Sequence, residues 1–162
     1  MRRGFTLVEL ALVLIVLGAL AGSAVPALRG MTAASERADR EAVASAVRLA
    51  RALAVASGVP HAAALEPAGS VRLERFVSGG AEAAIGPDRA VIAPILARED
   101  RVTRVGGSAL GGQAALVWFD PDGAPVAFGG DPDGGARAAE AIVVEFASGE
   151  RLLIEPATGG VR

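Results

Sequence analysis

Between positions 5 and 28 the chain runs for 24 residues with a single ionisable side chain, Glu9. A helix of that length measures about 36 Å and crosses a hydrocarbon core of about 30 Å with some tilt. From 31 to 57 the composition shifts to Ala, Arg and Glu without Pro or Gly, and no turn signal interrupts the helical period. The spacing predicts one helix that persists past Pro26, bent there because proline removes a backbone donor and crowds the preceding turn. In its second half Val43, Ala46, Val47, Ala50, Leu53 and Ala54 fall on one stripe, with Arg37, Arg40, Glu41, Arg48 and Arg51 on the opposite side. Followed backwards, the stripe meets Glu36 and Asp39, so a packed partner is expected to cover the helix only from about Ala42 onward.

Gly58-Val59-Pro60 supplies a helix stop, and beyond it short apolar runs alternate with turn residues. Strands are predicted at 61–65, 71–77, 90–96, 101–105, 114–119, 125–128, 141–146 and 151–155. Ile142, Val144 and Phe146 alternate with Val143 and Glu145, and Ala147-Ser148-Gly149-Glu150 then turns the chain into 151–155, the pattern of a hairpin. The glycine-rich stretch 106–112 reads as a mobile loop. It lacks the Lys-Ser/Thr ending of a phosphate-binding loop, and no helix is predicted after it. The fold class expected is α+β, a long N-terminal helix with a transmembrane half and an amphipathic half, followed by a β-rich head.

Arg2 and Arg3 precede the apolar run, which by the positive-inside rule keeps the N-terminus cytoplasmic and sends the residues after Arg29 across the membrane. A secretory signal peptide is the competing reading, with Ala19 to Ala24 as its cleavage region. Glu9 argues against it, because a carboxylate inside an apolar helix costs about 2.5–3.5 kcal/mol on insertion scales and is kept for a reason. Phe5 and Glu9 stand at i and i+4, on one helix face.

Composition narrows the chemistry. All 16 basic residues are Arg, the 18 acids bring the net charge to −2, and there is no Cys and no Tyr. Disulfides, thiolate metal sites and Cys nucleophiles are excluded, and one His leaves little acid–base material near neutral pH. His61 follows Pro60 at the start of a predicted strand with no Ser or Cys constellation around it, which points to structural burial or plain exposure and not to catalysis. No catalytic residues, cofactor or metal ligands are assigned. Asp-Pro-Asp-Gly occurs twice, at 120–123 and 131–134, but ordinary turn chemistry accounts for both without the spaced ligand loop of a calcium site.

Gly4-Phe5-Thr6-Leu7-Val8-Glu9-Leu10, behind a short basic leader, resembles the class III signal of type IV pilins and of type II secretion pseudopilins, and Pro26 falls where those proteins carry a helix-bending proline. The resemblance implies that residues 1–4 are a leader cut between Gly4 and Phe5 by a prepilin peptidase, which then N-methylates the Phe5 amine. It implies a transmembrane helix at 5–28, an amphipathic continuation at 29–57 and an outward head at 58–162. The implied partners are other pilin or pseudopilin subunits, the peptidase and an inner-membrane assembly platform. The protein would first reside in the inner membrane and later enter a pilus or pseudopilus.

Cleavage would leave a cationic amine at the edge of an apolar segment, and burying it in a helical bundle requires an anion nearby. Glu9 of one subunit can meet the Phe5 amine of the next. Leaving one of the two alone would cost about 3–5 kcal/mol, so the pair acts as a register device. Tip pseudopilins of the family lack this acid, so its presence places the chain elsewhere in a filament.

Val117-Trp118-Phe119-Asp120-Pro121-Asp122-Gly123, the run 142–146, and Ile154-Glu155-Pro156-Ala157-Thr158-Gly159 are similar to H-type pseudopilins and FimT-like minor pilins. In that class the head is two antiparallel β-sheets packed on the helix. FimT-like pilins are implicated in DNA uptake through a C-terminal Gly-Arg-x-Arg motif, of which Gly159-Gly160-Val161-Arg162 lacks the inner Arg. Loss of Arg2 and Arg3 with the leader leaves 14 − 18 = −4, which disfavours unspecific attraction to phosphate. Arg98, Arg101, Arg104 and Arg162 are the candidate DNA contacts. The functional expectation is a non-enzymatic minor pilin or pseudopilin, with a membrane-anchored binding module that does not enter a filament as the alternative.

Overall fold

The computed structural model describes residues 7–77, 80–86, 90–97, 100–126 and 136–162, with only the helical backbone for 21–31. Helix α1 spans Leu7–Ser57. The chain divides into two compact units, Met1–Ser35 and Glu36–Arg162. In the first unit every described side chain from 7 to 20 is exposed. Among the described residues no helix is long and apolar enough to cross a membrane.

The second unit joins the amphipathic part of α1 to nine strands: β1 (His61–Leu65), β2 (Ser70–Val77), β3 (Gly80–Ala83), β4 (Ile95–Leu96), β5 (Val102–Val105), β6 (Ser108–Ala109), β7 (Ala115–Phe119), β8 (Ile142–Phe146) and β9 (Arg151–Ile154). All pairings are antiparallel. One sheet runs β3-β2-β1-β7, with β4 also paired to β2; the other runs β6-β5-β8-β9. The architecture is α+β, a helix packed on two antiparallel sheets.

Helix α1 ends as its sequence dictates. Gly58 takes φ 67°, and its amide donates to the Ala54 carbonyl at 3.0 Å. The predicted stripe is the packed one: Val43, Ala46, Val47, Ala50 and Ala54 are all fully buried, joined by Ala44, while Leu53 is half-buried beside them. They form one core with Leu65, Val71, Leu73, Val117 and Phe119 of the first sheet and Val105, Val144, Phe146, Leu152 and Ile154 of the second. Each buried Val in such a core contributes about 1.5–3 kcal/mol relative to leaving it exposed. A smaller cluster of Ala62, Trp118 and Val126, flanked by Phe76 and Leu116, covers the other face of β1. Phe76 and Trp118 meet edge to face, with centroids 6.0 Å apart.

Several strands differ from expectation. The run 90–96 is not one strand: only Ile95–Leu96 pairs with β2, and Val91 makes an isolated bridge to Ile85. Pro94 removes the donor that would extend the ladder. Of 125–128, Pro125 and Val126 form isolated bridges, to Phe119 and Arg137, and the remainder lies outside the described residues. The stretch 106–112 is not a simple loop. Gly106 and Gly107 both take positive φ, 56° and 81°, and close a two-residue turn across which Val105 faces Ser108. The short strands β3 and β6 carry too little hydrophobic alternation to be read from sequence.

Candidate functional site

The residues named from sequence fall into separate regions. Gly4 and Phe5 lie outside the described residues. Glu9 stands in the first turn of α1, on a surface shared with exposed Leu7, Val8, Leu10, Leu12, Val13, Leu14 and Ile15. Pro26 lies within α1, its side chain outside the described residues. A helix apolar around its whole circumference is stable only when lipid or other helices cover it.

Of the arginines considered for DNA, Arg98 lies outside the described residues. Arg101 is exposed just before β5. Arg104 approaches Glu145 at 3.6 Å and donates to the Gly107 carbonyl at 2.6 Å. Arg162 pairs with Glu155 at 2.5 Å. It also lines a groove of 320 Å³ between α1 and β9 together with Arg37, Arg40, Arg48 and Arg151. Most of that positive charge is already opposed: Arg40 by Asp100 and Arg48 by Glu41, each at 2.7 Å, and Arg151 by Glu145 at 3.0 Å. A phosphate would have to displace partners within the chain.

The polar network that joins helix to sheets was not legible in the sequence. Asp100 is 1% exposed. Its Oδ2 accepts from Arg40 Nη1 at 2.7 Å and from the Ser148 hydroxyl at 2.8 Å, and its Oδ1 accepts from the Ser148 amide at 2.9 Å. The Asp100 amide donates to Asp39 Oδ2 at 3.0 Å. One buried acid therefore holds α1, the entry to β5 and the β8–β9 turn. Of the two acids expected to end the packed surface near Ala42, Asp39 instead extends it by a turn, because Asp39 and its neighbour Arg40 find polar partners.

Arg51, expected on the solvent side with Arg40, is the second latch. Its Nε donates to the Gly123 carbonyl at 3.2 Å. Arg40 and Arg51 are eleven residues apart, about three turns, so both lie along one flank of the buried stripe. At this point the two C-terminal motifs meet. A Cβ on Gly159 would overlap the Gly123 carbonyl oxygen and press on Arg51 Cδ at 3.0 Å and Phe119 Cε1 at 3.1 Å.

The turn at 120–123 satisfies its own acids. Asp120 Oδ1 accepts from the amides of Asp122 and Ala124 at 3.0 and 2.9 Å, and Arg137 Nε donates to Asp120 Oδ2 at 2.9 Å. Arg137 Nη2 also pairs with Asp122. The field of Asp120, with hydrogen bonds to Asp122 and Asp120, holds the Arg137 guanidinium above its ordinary pKa. The guanidinium thus occupies the position a cation would take. The second Asp-Pro-Asp-Gly, 131–134, lies outside the described residues. Among the described residues no group of three or more His, Cys, Asp or Glu is placed to hold a metal ion.

His61 is 4% exposed, and its Nδ1 lies 2.8 Å from the Val59 carbonyl oxygen. A carbonyl only accepts, so Nδ1 carries the proton and ties β1 to the end of α1. Across the turn between β1 and β2, the Ser70 hydroxyl donates to Glu66, and Arg72 Nε approaches the same carboxylate at 2.7 Å. Chiefly through Ser70, and then through Arg72, Glu66 is held below the usual carboxylate range.

No known family model matches the chain, and no solved structure matches it. The chain is similar to the type IV narrow pilus major component PilA5 of Thermus thermophilus, 43% identical over 60 residues that make up 36% of this chain and 52% of that protein. The chain thus spans about half the length of the curated relative it matches, and over that stretch it resembles a type IV pilin.

Proposed function

We propose that the protein is a non-enzymatic structural subunit of a type IV pilus or of a type II secretion pseudopilus. The observation that carries this reading is the exposed apolar surface of α1 from 7 to 20, interrupted by the single acid Glu9. Such a surface calls for lipid before assembly and for neighbouring helices afterwards. The 60-residue similarity to a type IV pilin supports the same reading.

In this account the leader 1–4 is removed by a prepilin peptidase, Phe5 becomes the methylated N-terminus, and residues 5–28 hold the protein in the inner membrane with the head outside. An assembly platform then extracts it into a filament. There Glu9 meets the Phe5 amine of an adjoining subunit, and the helical runs form a shared core. A minor-subunit role of the H-type or FimT-like kind rests on the resemblance of 117–123, 142–146 and 154–159 to that class. DNA uptake has weaker support, since Arg104 and Arg162 are engaged within the chain.

Intact-mass measurement of the protein isolated from host membranes tests the reading. The expected mature mass lacks residues 1–4 and carries one added methyl group. An uncut N-terminus would overturn it in favour of a membrane-anchored binding module, and a cut near Ala24 would overturn it in favour of a secretory signal peptide.

A further inference from the structure

We infer that the Asp122-Gly123 bond is a site of spontaneous aspartate isomerisation, which the folded head holds unreacted by engaging both groups that must combine. Glycine offers no side chain to shield its amide nitrogen, so an Asp-Gly bond is open to attack by that nitrogen on the aspartate's side-chain carboxyl carbon. The attack forms a C–N bond, expels one water and closes a succinimide. One water then adds back to either ring carbonyl, giving aspartate or an isoaspartate in which the backbone runs through the side chain. The overall change is mass-neutral and needs no oxidant or enzyme.

Each reacting group is occupied in the fold. The Gly123 amide donates to the Asp120 carbonyl at 2.8 Å, and φ of 82° fixes its direction. The Asp122 carboxylate is 78% exposed, so water reaches it freely, yet Arg137 holds it. The Asp122 amide is pinned on Asp120 Oδ1 at 3.0 Å, and the Gly123 carbonyl is caught by Arg51 at 3.2 Å. Ring closure would have to break these contacts together.

The location gives the modification a consequence. Isoaspartate inserts one extra carbon into the backbone immediately before Gly123, whose carbonyl packs against Gly159 and accepts from Arg51. Isomerisation would therefore loosen the latch between α1 and the two C-terminal turns, and Arg137 acts as a brake on that loss.

The test uses the full chain in detergent, incubated at elevated temperature where Trp118 emission reports every variant folded. Isoaspartate at position 122 is quantified by peptide mapping and isoaspartyl methyl transfer, against the same chain held unfolded in guanidinium chloride. The folded protein should isomerise at least about tenfold more slowly than the unfolded chain, the equivalent of one retained hydrogen bond. Arg137→Gln should raise the folded rate about two- to fivefold, the range an exposed ion pair can supply. Equal rates in the folded and unfolded chains, or an Arg137→Gln rate no higher than wild type, would overturn the inference.

Discussion

Arg40 on α1 and Asp100 before β5, sixty positions apart in the chain, meet at 2.7 Å, with the Asp100 side chain 1% exposed and that of Arg40 22%. Because Asp100 also takes both the amide and the hydroxyl of Ser148, this contact ties three chain segments to one carboxylate.

Removing the cation while leaving the buried anion should therefore cost more than a surface pair. Arg40→Met is expected to lower the unfolding free energy by about 3 kcal/mol, the lower end for breaking a buried pair, because Arg40 retains partial solvent access. Urea unfolding followed by the emission of Trp118, the chain's one tryptophan, measures it. A loss of under about 0.5 kcal/mol would place the pair with surface ion pairs and contradict the burial.

Gly159→Ala should destabilise the head by about 2–4 kcal/mol. The backbone there takes φ 65°, and the added methyl would strike the Gly123 carbonyl with no flexible atom to yield. Gly149→Ala is the control: its φ of 87° imposes similar backbone strain, but nothing lies within 4 Å of the added carbon. A difference in melting temperature between the two variants isolates the overlap from the strain.

The Ser70 hydroxyl lowers the Glu66 pKa from its ordinary 4.5, with Arg72 assisting. A carboxylate depressed in the folded state adds stability that is fully present above 4.5 and is lost as pH falls through the folded value. Ser70→Ala should move the Glu66 titration upward and shift acid unfolding to slightly higher pH. Carboxyl NMR titration of wild type and variant gives the first quantity directly. An unchanged Glu66 titration would remove Ser70 as the cause.

Glu9→Ala should leave membrane insertion intact, since it only removes a charge from an apolar run, while filament incorporation falls sharply. Co-assembly with wild-type subunits, scored in sheared filament fractions against the membrane fraction, measures both. Incorporation at the wild-type level would remove the role given to this acid, and poor membrane recovery of the variant would contradict its insertion.

Much of the head was legible because local chemistry set it. The end of α1 at Gly58, the stripe from Val43 to Ala54 and the 142–154 hairpin each follow from residues within a few positions of one another. The Gly106-Gly107 turn was equally local, and its two positive-φ glycines are a hairpin signal that glycine abundance masked. Strand β3 was hidden because Gly80-Ala81-Glu82-Ala83 has no alternation, and its place comes from the edge of β2 that accepts it.

The sequence by itself determined the apolar run with its lone Glu9, the periodicity of the helix and the turns that break the head into strands, since these depend on neighbours along the chain. Only the tertiary structure decided that Asp100 is buried against Arg40 and Ser148, that Arg51 faces the sheets, and that Gly123 touches Gly159. Those contacts join positions from about thirty to seventy residues apart, whose proximity is set by how two sheets close over one helix. A charged residue's fate depends on what that closure brings to it, and no spacing along the chain encodes this.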